Sequence, residues 1–336
     1  VTQCTLETLL ESAVPFALSM RRTFRGLSQR EGMVFEGPSG WGEFAPFDDY
    51  SDAAASLWLD SAIEAAYGTW PVSLRTSVNV NAILPACSPD DAAALTRIAI
   101  NDHGCRTIKV KVGGTLAEDE ARVASIRDVL DNTLGRGSGS IRIDANAAWD
   151  APAAITALRR LGAYGLEYVE QPCREMDQIR EVRSASDVPI AVDETIRMSD
   201  DPLALAHDVA RIREIADFAI LKPSPLGGIA ASLRVAEALP VPVIVSSSMD
   251  SSVGLAAAVN LAGILGLDAA CGLGTGALLS QDLVSTPVIP SAGMIPVRRV
   301  APDGGALAIA RAQIGDERAQ WWRNRLIRAW EIRSAR

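Results

Sequence analysis

Between residues 77 and 273 the chain alternates short apolar runs with stretches of helical spacing. The runs are "SVNVNAIL" (77–84), "TIKVKV" (107–112), "IRIDA" (141–145), "LEYVE" (166–170), "VPIAVD" (188–193), "DFAILK" (217–222), "VPVIVSS" (241–247) and "LDAACGL" (267–273). Each is five to eight residues long and largely apolar, bounded by polar or turn residues, which predicts a strand. Between them Val123, Ile126 and Leu130, and then Ile155, Leu158 and Leu161, recur at the spacing of one helix face. Eight strands alternating with helices predict a parallel (β/α)8-type barrel. An open doubly wound sheet is the competing arrangement, but no G-x-G-x-x-G follows the first strand.

The flanks read differently. "VFEGPSGWGEFAPF" (34–47) has turn-rich strand character and "DAAASLWLDSAIEAAYGTW" (52–70) reads as one or two helices, together an α+β unit. After residue 285 "TPVIPSAGMIPVRRVAPDGGALAI" returns to short strands and turns, and "DERAQWWRNRLIRAWEI" reads as a helix. The expected division is residues 1–75 and 286–336 as one cap over the barrel of residues 76–285.

Composition narrows the class. With 336 residues and 48% hydrophobic positions the chain can bury a large core, which excludes disorder. A net charge of -9 argues against nucleic acid or an anionic membrane as partner. The start carries no basic, apolar leader pattern, and no apolar run reaches the ~20 residues that span a bilayer. Five scattered cysteines without a C-x-x-C pair fit reduced thiols, so a cytoplasmic protein is expected.

The candidate chemistry lies on the strands. Side chains alternate along a strand, so Lys109 and Lys111 share a face opposite Ile108, Val110 and Val112. Lysines on one face of a strand commonly blunt a sheet edge. Here, however, Asp144, Glu170 and Asp193 end three consecutive strands, and Lys222 ends the next. A single strand-end acid is ordinarily a helix cap or rim ion pair. Three in phase repel one another unless a cation sits among them, and oxygen-only ligands select a hard ion such as Mg²⁺. In an eight-stranded barrel Lys111 and Lys222 lie opposite each other, and Lys109 beside Lys111 lowers that ammonium's pKa toward a usable base. Lysine plus Mg²⁺ for removing a proton α to a carboxylate is the arrangement known for enolase-superfamily sites.

"KVKVG", "RIDANAAW", "YVEQP", "AVDET" and "ILKPSPLGG", in this order, resemble the muconate-lactonising-enzyme subgroup of the enolase superfamily, and "GWGEFAPF" resembles its capping domain. The resemblance implies an α+β cap on a (β/α)7β TIM-type barrel. It implies Mg²⁺, with Mn²⁺ as substitute, on Asp144, Glu170 and Asp193, and catalysis by Lys111, Lys222 and the neighbouring Lys109. His103 and His207 are read as structural, which disfavours a histidine base.

Within that subgroup "VSSSMDSSVGL" is similar to the strand-7 stretch of the o-succinylbenzoate synthase family of menaquinone biosynthesis, and strand 8 lacks the acidic D-x-D of dipeptide epimerases. That resemblance implies a dicarboxylate substrate, 2-succinyl-6-hydroxy-2,4-cyclohexadiene-1-carboxylate, dehydrated to 2-succinylbenzoate through an enediolate. Arg142, Asn146, Ser246, Ser247, Ser248, Gly272 and Gly274 are the expected substrate contacts, with loops Met20–Arg25 and Phe47–Tyr50 closing over the succinyl tail. N-succinylamino acid racemisation uses the same machinery and is the alternative. A Schiff-base aldolase gives the three carboxylates no role, and a non-catalytic barrel gives none to the lysines.

Overall fold

The computed structural model describes residues 4–24 and 26–336. Long alternating segments near the start form an antiparallel sheet of β1 (Val14–Phe24), β2 (Leu27–Gly37) and β3 (Gly40–Phe44). Seven parallel strands then pair in chain order: β5 (Ala82–Leu84), β6 (Thr107–Lys111), β7 (Ser140–Asp144), β8 (Leu166–Glu170), β9 (Ile190–Val192), β10 (Phe218–Leu221) and β11 (Val243–Val245). Before them β4 (Ser77–Asn79) pairs antiparallel with β12 (Met294–Pro296). The first predicted strand is thus cut in two, because Val80 N donates to Gly293 O and Asn81 N to Cys271 O, so the run changes partner midway.

The eighth predicted strand survives only as two parallel bridges, Val80 to Cys271 and Ser246 to Gly272, which close the curled sheet from both edges. That is the (β/α)7β barrel. The predicted parity holds along it. Ile108, Val110, Ile141, Ile143, Val169, Val192 and Leu221 are buried against the outer helices, while Tyr168, Ala191, Ile220 and Ile244 pack together within the barrel. Helix Leu116–Leu134 buries Val123, Ile126 and Leu130 as their spacing requires, and its Thr115 cap accepts from Glu118 N.

The helix Asp52–Tyr67 is one helix, capped by Ser51. Its Trp58, Leu59 and Ala62 share an apolar core with Phe35 and Phe44 of the antiparallel sheet and with Trp322, Leu326 and Ala329 of the helix Asp316–Ala335. Trp322 meets Phe44 edge-on and donates Nε1 to Glu31 Oε2 at 3.0 Å. The segment read as turns after residue 285 differs in one place: a helix, Gly304–Ile314, begins at the two glycines. The glycine pair reads as a turn, but the alanine-rich sequence after it forms helix readily.

Candidate active site

Register places the charged residues in two layers. Lys111 pairs with Asp144 and Asp144 with Glu170; one step lower, Lys109 pairs with Arg142 and Arg142 with Tyr168. The upper layer, at the C-terminal ends of the strands, is where barrels carry their chemistry. Lys109 Nζ lies 2.6 Å from Glu170 Oε2 and 3.0 Å from Asp144 Oδ2. Lys111 Nζ donates to Asp144 Oδ2 and Asn146 Oδ1, both at 2.6 Å. Across the sheet Lys222 Nζ donates to Asp193 Oδ2 at 2.6 Å. All three carboxylates are buried.

Buried charges shift one another. Burial works against the Lys109 ammonium, yet Asp144 and Glu170 hold it firmly protonated, well above the ordinary lysine range. Burial pushes Lys111 the other way, below its usual value, with Lys109 adding to the shift and Asp144 opposing it. Glu170 is pushed up to about 7, first by burial and then by Asp144. Burial also opposes ionisation of Asp144 and Asp193, but Lys109 and Lys111 hold Asp144 far below the carboxylate range, and Arg197 and Lys222 hold Asp193 at about 2. Glu170 Oε1 is buried without a hydrogen-bond partner. Among the described residues no three His, Cys, Asp or Glu side chains form a ready cation cage. The lysines stand between the acids, each neutralising the charge that would otherwise drive the carboxylates apart.

A cavity of about 50 Å³ opens above this layer, lined by Lys109, Lys111, Asp144, Asn146, Lys222, Ser246, Ser247, Ser248 and Thr275, with Phe24, Phe47, Ile83 and Met249 as its apolar walls. A larger open cavity of about 910 Å³ adjoins it through Asn146 and Arg197 but contains none of the lysines. Phe24 and Phe47 come from the two regions expected to cover the site, but the first is strand and not loop, since Met20–Phe24 ends β1; Arg25 lies outside the described residues.

The structure leaves three expected contacts outside the cavity. Arg142 sits a layer below, its guanidinium forked onto Glu167 at 2.8 and 3.0 Å and donating to Asn81 and to Ala270 O. Four hydrogen bonds engage its fork, so it holds the barrel floor. Gly272 and Gly274 serve packing: a Cβ would stand 2.5 Å from Ser246 Oγ and 2.5 Å from Asn81 O respectively. The serine run is partly used internally, with Ser246 Oγ donating to Gly272 O and Ser248 N to Asp250.

Three residues of the site escaped the sequence reading. Gln171 accepts from Asp193 N (2.9 Å) and Thr195 N at its Oε1 and donates to Cys173 O and Thr195 Oγ1, fixing the end of β9. Arg197 reaches Asp193 at 3.0 Å, Glu194 at 2.6 Å and the Tyr50 hydroxyl. Thr275 Oγ1 shares a hydrogen bond of 2.7 Å with Ser247 Oγ. Gln171 and Thr275 directly follow Glu170 and Gly274, and that adjacency was the available signal; Arg197 comes four residues after Asp193, on the short helix Glu194–Arg197.

Comparison with known proteins agrees with this geometry. Residues 91–305 match the enolase C-terminal domain-like family and residues 15–66 the enolase N-terminal domain-like family. The chain belongs to the enolase superfamily. It is 44% identical over 317 residues to the o-succinylbenzoate synthase of Thermobifida fusca, covering 91% of this chain and 96% of that one. Its fold matches muconate lactonizing enzyme from Pseudomonas fluorescens, complexed with muconolactone, at a TM-score of 0.74 and 20% identity over 89% of this chain and 97% of that one. It also matches the dipeptide epimerase of Enterococcus faecalis, complexed with Mg and a dipeptide, at a TM-score of 0.71 and 19% identity over 86% and 97% of the two chains. Among the described residues no helix is long and apolar enough to cross a membrane.

Proposed function

We propose that this chain is an o-succinylbenzoate synthase, a lyase that dehydrates 2-succinyl-6-hydroxy-2,4-cyclohexadiene-1-carboxylate to 2-succinylbenzoate. The 44% identity to the Thermobifida fusca synthase supports the reaction. The observation that carries the chemistry is Lys111 and Lys222, on β6 and just after β10, facing one cavity beside three buried carboxylates.

Asp144, Glu170 and Asp193 are the residues to hold Mg²⁺. Their donors are all oxygen, the set a hard cation selects. The unpartnered Glu170 Oε1, on a carboxyl raised to about 7 by burial and by Asp144, is what a doubly charged ion would satisfy. When bound, Mg²⁺ would withdraw charge from a substrate carboxylate and acidify its α-proton. Lys111, its ammonium already weakened by burial, takes that proton and returns it to the departing hydroxyl, which leaves as water. Lys222 stays an ammonium and faces the negative charge as it develops. Hydroxyls of Ser247, Ser248 and Thr275, with the Asn146 amide, are the donors for the succinyl carboxylate.

We also propose that the chain divides at about residues 75 and 285, on the shared apolar core of the two flanks. Its five free cysteines fit a reducing cytoplasm. The deciding assay follows loss of the diene absorbance of the cyclohexadiene substrate. Chelation abolishes it and Mg²⁺ or Mn²⁺ restores it; full activity in thoroughly chelated protein refutes the metal, and no turnover with Mg²⁺ refutes the synthase.

A further inference from the structure

Two helices of the barrel are capped by glutamates of the other unit. Helix Ser252–Ile264 begins just after the serine run, and Glu43 of β3 takes three donors at its start: Ser251 N reaches Oε1 at 3.1 Å, while Gly254 N at 3.0 Å and the Ser251 hydroxyl reach Oε2; Ser252 N goes to Asp282 and Val253 N to Ser251 Oγ. Helix Ile229–Ala238 is met in the same way by Glu64, which accepts from Ile229 N and from Ala230 N at 2.8 Å. In both places a glycine makes room. A Cβ on Gly254 would stand 2.8 Å from the Glu43 carboxyl carbon, and one on Gly228 would stand 2.5 Å from Glu64 Oε2. The first amides of a helix have no partner within it, so each glutamate docks its unit on the barrel by accepting them.

The two differ in what lies beside them. Glu64 grips a helix whose neighbouring residues stay outside the cavity. Glu43 grips Ser251 and Gly254, just beyond the segment Ser246–Met249, which forms one cavity wall. Ser246 and Ser247 are anchored on Leu221 O and Gly272 O, while Ser248 N bonds forward to Asp250, toward Ser251. Met249 holds a left-handed backbone (φ 61°), and Arg30 of β2 donates to its carbonyl at 3.2 Å. We propose that Glu43 is a positioning residue: from the antiparallel sheet, through Ser251 and Gly254, it sets the wall against which the substrate's succinyl tail rests. This rests on the synthase reading for its kinetic consequence, not for its structural one.

Glu43→Gln and Glu64→Gln separate the proposal from general docking. Both variants are compared with the parent protein at a temperature where all are folded. Glu43→Gln is expected to raise KM about tenfold with kcat within threefold, while Glu64→Gln leaves KM unchanged. Hydrogen–deuterium exchange of the amides of residues 246–251 should quicken in Glu43→Gln alone, a readout independent of turnover. Unchanged exchange there, or an equal change in both variants, overturns the proposal. Quickened exchange in a protein that dehydrates nothing would instead refute the synthase and leave the positioning role standing.

Discussion

At the scale of single residues the proposed mechanism divides the work between two lysines. Lys111→Ala should abolish exchange of the α-proton in deuterium oxide, followed by proton NMR, if Lys111, which lines the cavity, is the base. Exchange at the parent rate would remove that role. Lys222→Ala should slow dehydration by a few hundredfold, about 3–4 kcal/mol, the usual loss for one electrostatic donor. Arg142 tests depth rather than face. Arg142→Met should lower stability by about 3 kcal/mol, because it strands Asn81 and the Ala270 carbonyl in the barrel floor. KM should not change; a rise in KM with unaltered melting would return Arg142 to the substrate. Alternation along a strand made legible which charged residues share a face, and the structure brings Lys109, Lys111, Lys222, Asp144, Glu170 and Asp193 together. Alternation could not fix height, and one pair of residues, roughly 7 Å along a strand, separates Arg142 from the cavity.

Among the elements, the seam at the eighth position was the least legible. "LDAACGL" is apolar but has no β-branched residue, and it closes the sheet through two bridges where Gly272 and the following Gly274 pass against Ser246 and Asn81. The glycines were visible in the sequence; what they accommodate was not, since Ser246 lies on the neighbouring strand position and Asn81 near the other end of the barrel sequence. Gly274→Ala should therefore lose about 1–3 kcal/mol by crowding the Asn81 carbonyl, read as a fall in Tm, with KM unchanged once folded. A rise in KM without a fall in Tm would show that Gly274 contacts substrate after all. Strand and helix positions elsewhere followed from period and caps. The helix Gly304–Ile314 did not, because two glycines at its start disguise an alanine-rich segment.

For the molecule as a whole, the junction between the antiparallel sheet and the barrel carries a pH dependence. Burial, and then Asp250, raises Glu43 to about 7, with Arg30 and the Ser251 donors opposing. The folded state therefore holds a proton that the unfolded chain, with an ordinary glutamate near 4.5, has released. Stability should be greatest below about pH 4.5 as far as this group is concerned, and about 3 kcal/mol should be lost as pH rises through 7. Melting curves from pH 5 to 8 should show that slope in the parent protein and a flatter one in Glu43→Gln; equal slopes would deny it. The same unit joins distant parts of the chain, for Trp322 donates to Glu31 from 291 residues away. Emerging from the ribosome, the barrel strands meet their neighbours in order, but the face formed by Phe44 and Trp58 must wait for the helix Asp316–Ala335. Until that helix is made the face is bare, an exposed apolar surface of the kind that makes incompletely folded chains prone to aggregate.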